Sequence, residues 1–428
     1  MKSGRYRWFV FAVFFVFMLL HQCDQLLIGP LTTPIMESFG IDEARMGVVF
    51  SGALLVGAVL YPLWGYLYDR YARSRLLALA ALIWGATTWL SAVVRTFPAF
   101  VVTRASTGID NSSYPGLYSV IADYYEPHVR GRVNGLLQVT QPLGYLVGMV
   151  LALVLGGILG WRTIFYLTGG LGVVLAVVIF LGVREPKRGA AEPELRGVET
   201  STEYRFNWPA ARALLRNRTV MLLSTNGFFG VIPWQVITFW FFRYLEKERG
   251  YSSTEVLITM VAAVLVLAAG YPLGGLIGDR LFRRFPRGRL WVAGAGVICG
   301  AVLLTITLSI PATAQVAFGL MMCLTAVFMP LASANVISAI YDVTVPEVRS
   351  TANALMSLIE QIGSACAPAL AGMIAVRYSL GAAILYMSVG AWAVCAVFVF
   401  LAAHFTPDDQ AALHKEMQAR AVLERARA

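Results

Sequence analysis

The sequence predicts an all-α membrane protein of twelve transmembrane helices arranged as two six-helix repeats. Three observations carry that expectation: the apolar content, the one-sided placement of basic residues, and two signatures that each occur twice. The 428 residues are 58% hydrophobic and 14% charged, against about 25% charged in soluble proteins. So apolar a chain needs lipid as the solvent for much of its surface.

A span takes roughly 20 apolar residues at about 1.5 Å rise each. Such runs fall near 8–30, 46–68, 76–95, 98–122, 134–157, 163–183, 219–243, 255–277, 289–309, 313–340, 350–375 and 381–404. Gly and Pro inside several of them are tolerated in membrane helices. The first run follows MKSGRYRW and resembles a signal peptide, but no small-x-small cleavage site follows. It reads as an uncleaved first span. Residues 184–218 form the one long polar stretch inside the chain, with eight Lys/Arg. The expected organisation is therefore a bundle at 1–183, a cytoplasmic linker at 184–218, a second bundle at 219–404 and a polar, helical, cytoplasmic tail at 405–428.

Twelve spans place both termini on one side. Of 34 Lys and Arg, 26 fall on that side, seven on the other, and Arg104 within a span. The asymmetry puts both termini in the cytoplasm, as in a multi-pass protein of a plasma (inner) membrane. The net charge of +10 is thus a topology signal, and nucleic acid is not an expected partner. The five cysteines lie in apolar stretches without metal-ligand spacing, so neither a disulfide framework nor a metal site is expected.

The repeat is explicit. YPLWGYLYDR at 61–70 matches YPLGGLIGDR at 271–280, and Asp-x3-Pro-x2-Arg-x3-Asn occurs at Asp123, Pro127, Arg130, Asn134 and at Asp342, Pro346, Arg349, Asn353. The offsets are 210 and 219 residues, at equivalent span ends, which is the architecture of many secondary transporters. Gly65 and Gly275 are expected to let helices approach closely. Asp69 and Asp279 are expected to pair with Arg70, Arg73 and Arg280 or to meet helix N-termini. Gly65, Asp69, Arg70, Arg73, Asp123, Arg130, Asp279 and Arg280 form the expected gating set.

Gly65 through Arg73, with Asp69-Arg70 at its centre, resembles the signature loop of the major facilitator superfamily, and its weaker copy stands after helix 8, as in that superfamily. The resemblance covers nearly the whole chain. It implies the major facilitator fold and alternating access around a midplane cavity lined mainly by helices 1, 4, 7 and 10. Within the superfamily the chain is similar to spinster-like transporters. Arg104, Thr107-Gly108-Ile109-Asp110-Asn111-Ser112, Ala122-Asp123 and Arg184-Glu185-Pro186-Lys187-Arg188-Gly189 carry that likeness. Where that branch has Asp-Arg in helix 1, this chain has Asp24-Gln25, and Asp110-Asn111 stands for its Gly-Glu. The branch implies lysophospholipid or sphingolipid substrates.

Ionisable groups inside spans are costly and face the bundle interior. Asp24 lies about 24 Å along helix 1 and Arg104 about 9 Å into the inward-running helix 4. In a core of about 30 Å these depths match, so the two can pair, and breaking the pair would switch Asp24 between proton-bound and proton-free states. Asp110, beside Asn111, Ser113 and Tyr114, is expected to face the cavity or to form a hydrogen-bonded kink near Pro115. Glu360 lies near midplane on helix 11, expected beside the cavity rather than squarely on it. Asp24, Arg104, Asp110 and Glu360 are the candidate proton-coupling groups. Gln25, Tyr114, Gln138, Asn226 and Gln235 are the candidate substrate contacts, with Gln141, Trp234 and Trp240 nearby; amides and indoles bind solutes, though Trp also anchors at interfaces. His21, three residues before Asp24 on one helix face, is read as a hydrogen-bonding neighbour.

No Gly-x4-Gly-Lys-Ser/Thr loop or nucleophile motif is present, and the Gly-rich segment 168–172 lies inside a span. No enzyme, catalytic residue, metal or cofactor is expected. The expected function is secondary active transport of a small organic or amphiphilic solute, coupled to protons. Expected partners are that small-molecule or lipid-like solute, a proton and membrane lipid, for a monomeric protein. Efflux of hydrophobic compounds is the alternative, although the Gly-x3-Gly-Pro pattern of such antiporters is missing at Gln141–Gly148. A non-transporting receptor on the same fold is a further alternative.

Overall fold

The computed structural model describes residues 4–110, 114–125, 133, 136–137, 139–186, 214–344 and 349–427. Every element among them is helical. In chain order they are α1 (Gly4–Leu27), α2 (Thr32–Phe39), α3 (Glu43–Arg70), α4 (Arg73–Val93), α5 (Phe97–Ser106), α6 (Tyr114–Tyr124), α7 (Thr140–Val150) and α8 (Trp161–Gly182). Then follow α9 (Arg218–Lys247), α10 (Ser253–Phe282), α11 (Gly288–Ser309), α12 (Gln315–Phe328), α13 (Leu331–Asp342), α14 (Arg349–Arg377) and α15 (Leu380–Arg427). A wide turn at Leu151–Leu155 and the short helix Gly156–Leu159 prolong α7.

Counting α12 and α13 as one, eleven stretches among the described residues are long and apolar enough to cross a membrane. The expected fourth span, 98–122, is built differently. It is α5, a tight 3-10 turn at Thr107–Ile109, and α6. Gly108 cannot carry a side chain here, because a β-carbon would strike the Ala53 carbonyl of α3. The tenth span is interrupted at the matching place, between α12 and α13 at Met329-Pro330. Broken helices at corresponding positions of two repeats mark where backbone lines a cavity instead of lipid. The tail is helical and continuous with the twelfth span in α15.

Helix contacts fall into two groups. α4 packs on α8, α1 on α7 and α3 on α5, while α9 packs on α15, α11 on α15 and α9 on α14. Between the groups, α14 packs on α3 and α9 touches α2. Those junctions lie at the face opposite the termini, where α3 begins and α9 and α14 end.

Small residues set the close contacts inside each group, though not at Gly275. That glycine faces open space, whereas a β-carbon on Gly274 would sit 2.8 Å from Leu331 Cα and one on Gly278 would strike Asn335 Oδ1. The Asn335 amide donates to the carbonyls of Gly274 (2.9 Å) and Leu331 (2.8 Å), tying α10 to α13. The first repeat reverses the roles. The Trp64 indole of α3 donates to the Ile109 carbonyl, and Tyr68 packs where Gly116 lacks a side chain.

Candidate functional site

A cavity of about 640 Å³ lies between the two groups of helices. Its wall carries Gln22 and Gln25 from α1, Tyr61 from α3, Tyr114 from α6, Gln141 from α7, Asn226, Trp234 and Gln235 from α9, and Glu360, Gln361 and Ser364 from α14. The interruption of the tenth span contributes Met329, Pro330 and Ser333. Of the expected solute contacts, Gln25, Tyr114, Asn226 and Gln235 line this cavity. Glu360 lies on the wall itself, not merely beside it. Trp240 does not; it is fully buried, and its indole donates to the Pro368 carbonyl at 3.0 Å. Gln138 lies outside the described residues, as do Asn111 and Ser113.

Asp24, Arg104 and Asp110 sit behind this wall. Asp24 is buried among helices α1, α4 and α8. Its Oδ2 accepts from the Trp84 indole (3.0 Å) and Thr88 hydroxyl (2.9 Å), and its Oδ1 accepts from Thr168 (2.7 Å). The Arg104 guanidinium approaches Oδ2 at 3.7 Å and lies over the Phe165 ring at 5.1 Å. Their matching depths bring the two side chains together, but the pair points into the first bundle and not into the cavity.

Asp110 is fully buried and does not face the cavity either. The turn at 107–109 rotates it toward α1, where His21 Nε2 stands 3.0 Å from its Oδ2. The other ring nitrogen of His21 hydrogen-bonds the Tyr114 hydroxyl. Gln22, on the cavity wall, donates to the same hydroxyl at 3.0 Å. Tyr114 thus joins the cavity to a buried imidazole and carboxylate. This connection was hidden in the sequence because His21 and Tyr114 lie 93 residues apart.

At the face of the termini, each repeat holds one bridging arginine. Arg73, 3% exposed, pairs with Asp123 (2.7 Å) and Glu185 (2.8 Å) and donates to the Ser119 hydroxyl (2.7 Å). In the second repeat the bridging arginine is not Arg280, which is exposed. Arg289, at the start of α11, pairs with Asp279 (2.7 Å) and with Asp342. Arg70 is exposed and donates to its neighbour Tyr66 at 2.6 Å. Arg130 lies outside the described residues, and so do the side chain of Asp69 and the packing around Gly65.

At the opposite face a polar seal joins the two groups. Arg243 of α9 donates through Nε (3.0 Å) and Nη2 (2.7 Å) to Glu43 of α3, and through Nη1 to Thr33 (3.1 Å). Thr33 donates to Glu246 at 2.5 Å, and Lys247 pairs with Glu37 at 3.1 Å. Below it, the Phe50 and Phe239 rings stack at 4.5 Å. No sequence pattern marks these residues, which lie at or near the ends of α2, α3 and α9. Among the described residues no group of His, Cys, Asp and Glu has the arrangement of a metal site, and the five cysteines are free.

Two repeated six-helix groups, paired interruptions and a central polar cavity constrain the family, and the chain's match to its sequence pattern decides it. Residues 10–343 match the model of the Major Facilitator Superfamily. The chain belongs to that superfamily. Membership places it among membrane transporters and not among enzymes. The chain is 29% identical to protein spinster of Drosophila melanogaster over 87% of its own length, and spans 62% of that longer protein. It is 27% identical to spinster homolog 1 of Xenopus tropicalis, covering 89% of this chain and 75% of that one. In structure it is similar to a bacterial homolog of the human lysosomal transporter spinster in an inward-facing, unoccupied conformation. That match has a TM-score of 0.81 at 20% identity and covers 97% of this chain and 99% of the other. At that identity the match establishes the superfamily fold.

Proposed function

We propose that this member of the superfamily is a secondary active transporter of a small organic or amphiphilic solute, driven by protons through alternating access. The moving units are the bundles 1–183 and 219–404, joined by the linker 184–218. The observation that carries the reading is the cavity between them, which is sealed at one face by the Glu43–Arg243 ion pair and the Phe50–Phe239 stack. A central site closed at one end is what alternating access requires. With both termini in the cytoplasm, as the charge asymmetry argues, the seal is external and the cavity belongs to the cytoplasm-facing half of the cycle. In this reading the membrane is a plasma (inner) membrane.

Proton coupling rests on the route from Tyr114 to His21 to Asp110, beside Arg104 and Asp24. A phenol, an imidazole and a carboxylate in hydrogen-bonding sequence can each accept and release a proton. The route begins at the cavity, so the state of the solute site and the charge of the buried cluster are linked. The resemblance to the spinster-like branch implies an amphiphilic solute. The repeated arginine bridges at Arg73 and Arg289 keep each bundle rigid at the terminal face as the bundles rock. Reconstituted vesicles test this function. An imposed pH gradient should drive uphill solute uptake in the native protein. Asp24→Asn should lose the uphill component. Uphill uptake by Asp24→Asn that is unchanged across pH would remove Asp24 from the coupling mechanism.

A further inference from the structure

The cavity wall has a one-sided charge. Among its described residues there is no Lys, Arg or His, and Glu360 is the single ionisable acid or base other than tyrosine or cysteine. The chain as a whole carries 34 Lys and Arg, so their exclusion from this wall is a local feature.

Glu360 is held in a specific place. Its side chain lies against Gly227 of α9, where a β-carbon would stand 2.9 Å from its Oε1. The missing side chain lets the carboxylate cross from α14 to α9. The next residue, Asn226, is 6% exposed and lines the same cavity. The indoles of Trp234 and Trp392 also line this space, and their faces attract cations.

A carboxylate among amide and indole side chains, with no opposing positive charge, calls for one chemistry. We infer that the cavity binds a solute bearing a protonated primary or secondary amine, with its N–H groups on the Glu360 carboxylate. The inference rests on this cavity being the solute site of the proposed transporter. An acid would meet Glu360 with like charge. An alcohol would gain no ion pair. A quaternary ammonium would gain the charge but has no N–H to donate to Glu360.

Thermal unfolding of the purified full chain in detergent tests it, using ligands that share a body and differ in one group. Tryptamine, tryptophol and indole-3-propionate form one set; hexylamine, hexanol and hexanoate form a second. The amine of at least one set should raise the unfolding midpoint more than its alcohol and acid. Glu360→Gln, checked for an unchanged elution profile, should weaken amine binding roughly tenfold to hundredfold, the loss of one charged hydrogen bond. Equal or greater stabilisation by the alcohol or acid would overturn the inference. So would amines that bind Glu360→Gln as well as the native protein, or no binding by either amine. Vesicle flux separates the two ideas. Amine binding without flux would sink the transport reading alone, and flux of acids or alcohols without amine preference would sink this inference alone.

Discussion

Replacing Glu43 by Gln keeps the shape and an acceptor oxygen but removes the charge that Arg243 faces. In the structure Arg243 makes two hydrogen bonds to Glu43, at 3.0 and 2.7 Å, with the two side chains 13% and 21% exposed. A hydrogen bond to a charged group contributes about 1.5–3 kcal/mol, and partial exposure trims this. A loss of about 1–3 kcal/mol moves a two-state equilibrium about 5- to 150-fold. In the proposed cycle the pair breaks when the face opposite the termini opens, which gives the shift its direction. The readout is alkylation of a cysteine placed at Gln25, on the cavity wall, in a variant lacking the five native cysteines. A membrane-impermeant reagent is supplied only at the face opposite the termini. Glu43→Gln should raise the labelling rate within that range. Exchanging the charges, Glu43→Arg with Arg243→Glu, should bring it back toward the starting value. Labelling unchanged by Glu43→Gln in well-folded protein would refute the seal.

Other outcomes follow from the same geometry. Gly278→Ala should lower the unfolding midpoint, since overpacking against Asn335 costs about 1–3 kcal/mol, whereas Gly275→Ala, facing open space, should leave the midpoint nearly unchanged. Arg73→Ala should destabilise more than Arg289→Ala, because removing a buried partner costs about 3–5 kcal/mol and Arg73 is 3% exposed while the side chain of Arg289 is 17% exposed; chemical unfolding of the two variants checks the order. Tyr114→Phe removes the hydroxyl that joins His21 to the cavity, so proton-driven uptake should fall while downhill exchange of solute persists.

The spans were legible because a helix in lipid must be apolar along its length, and the repeated signatures located equivalent ends. The interruption of the fourth span was less so. Its polar stretch and Pro115 pointed to a kink, but only packing of Gly108 against α3 fixes the turn at 107–109. Depth along a helix is arithmetic, and it paired Asp24 with Arg104 correctly. Facing is not, because a helix apolar on all sides shows no preferred face. Asp110 consequently turned away from the cavity toward His21, and Glu360 turned onto it. The repeated motif also drew attention to Arg280, adjacent to Asp279. In the first repeat the bridging arginine, Arg73, follows Asp69 after four residues, while Arg289 follows Asp279 after ten. The longer turn hides the equivalence until the structure places Arg289 between Asp279 and Asp342. The seal of Glu43 and Arg243 joins residues 200 apart in the chain, with no local pattern to announce it.

The most direct test of alternating access is a pair of spin-label distances in lipid nanodiscs, one across the terminal face and one across the face sealed by Glu43 and Arg243, recorded over a range of pH. Alternating access predicts two distances at each face whose populations change in opposite directions, the sealed face opening as the terminal face closes. A single unchanging distance at both faces, or two faces that open and close together, would contradict it.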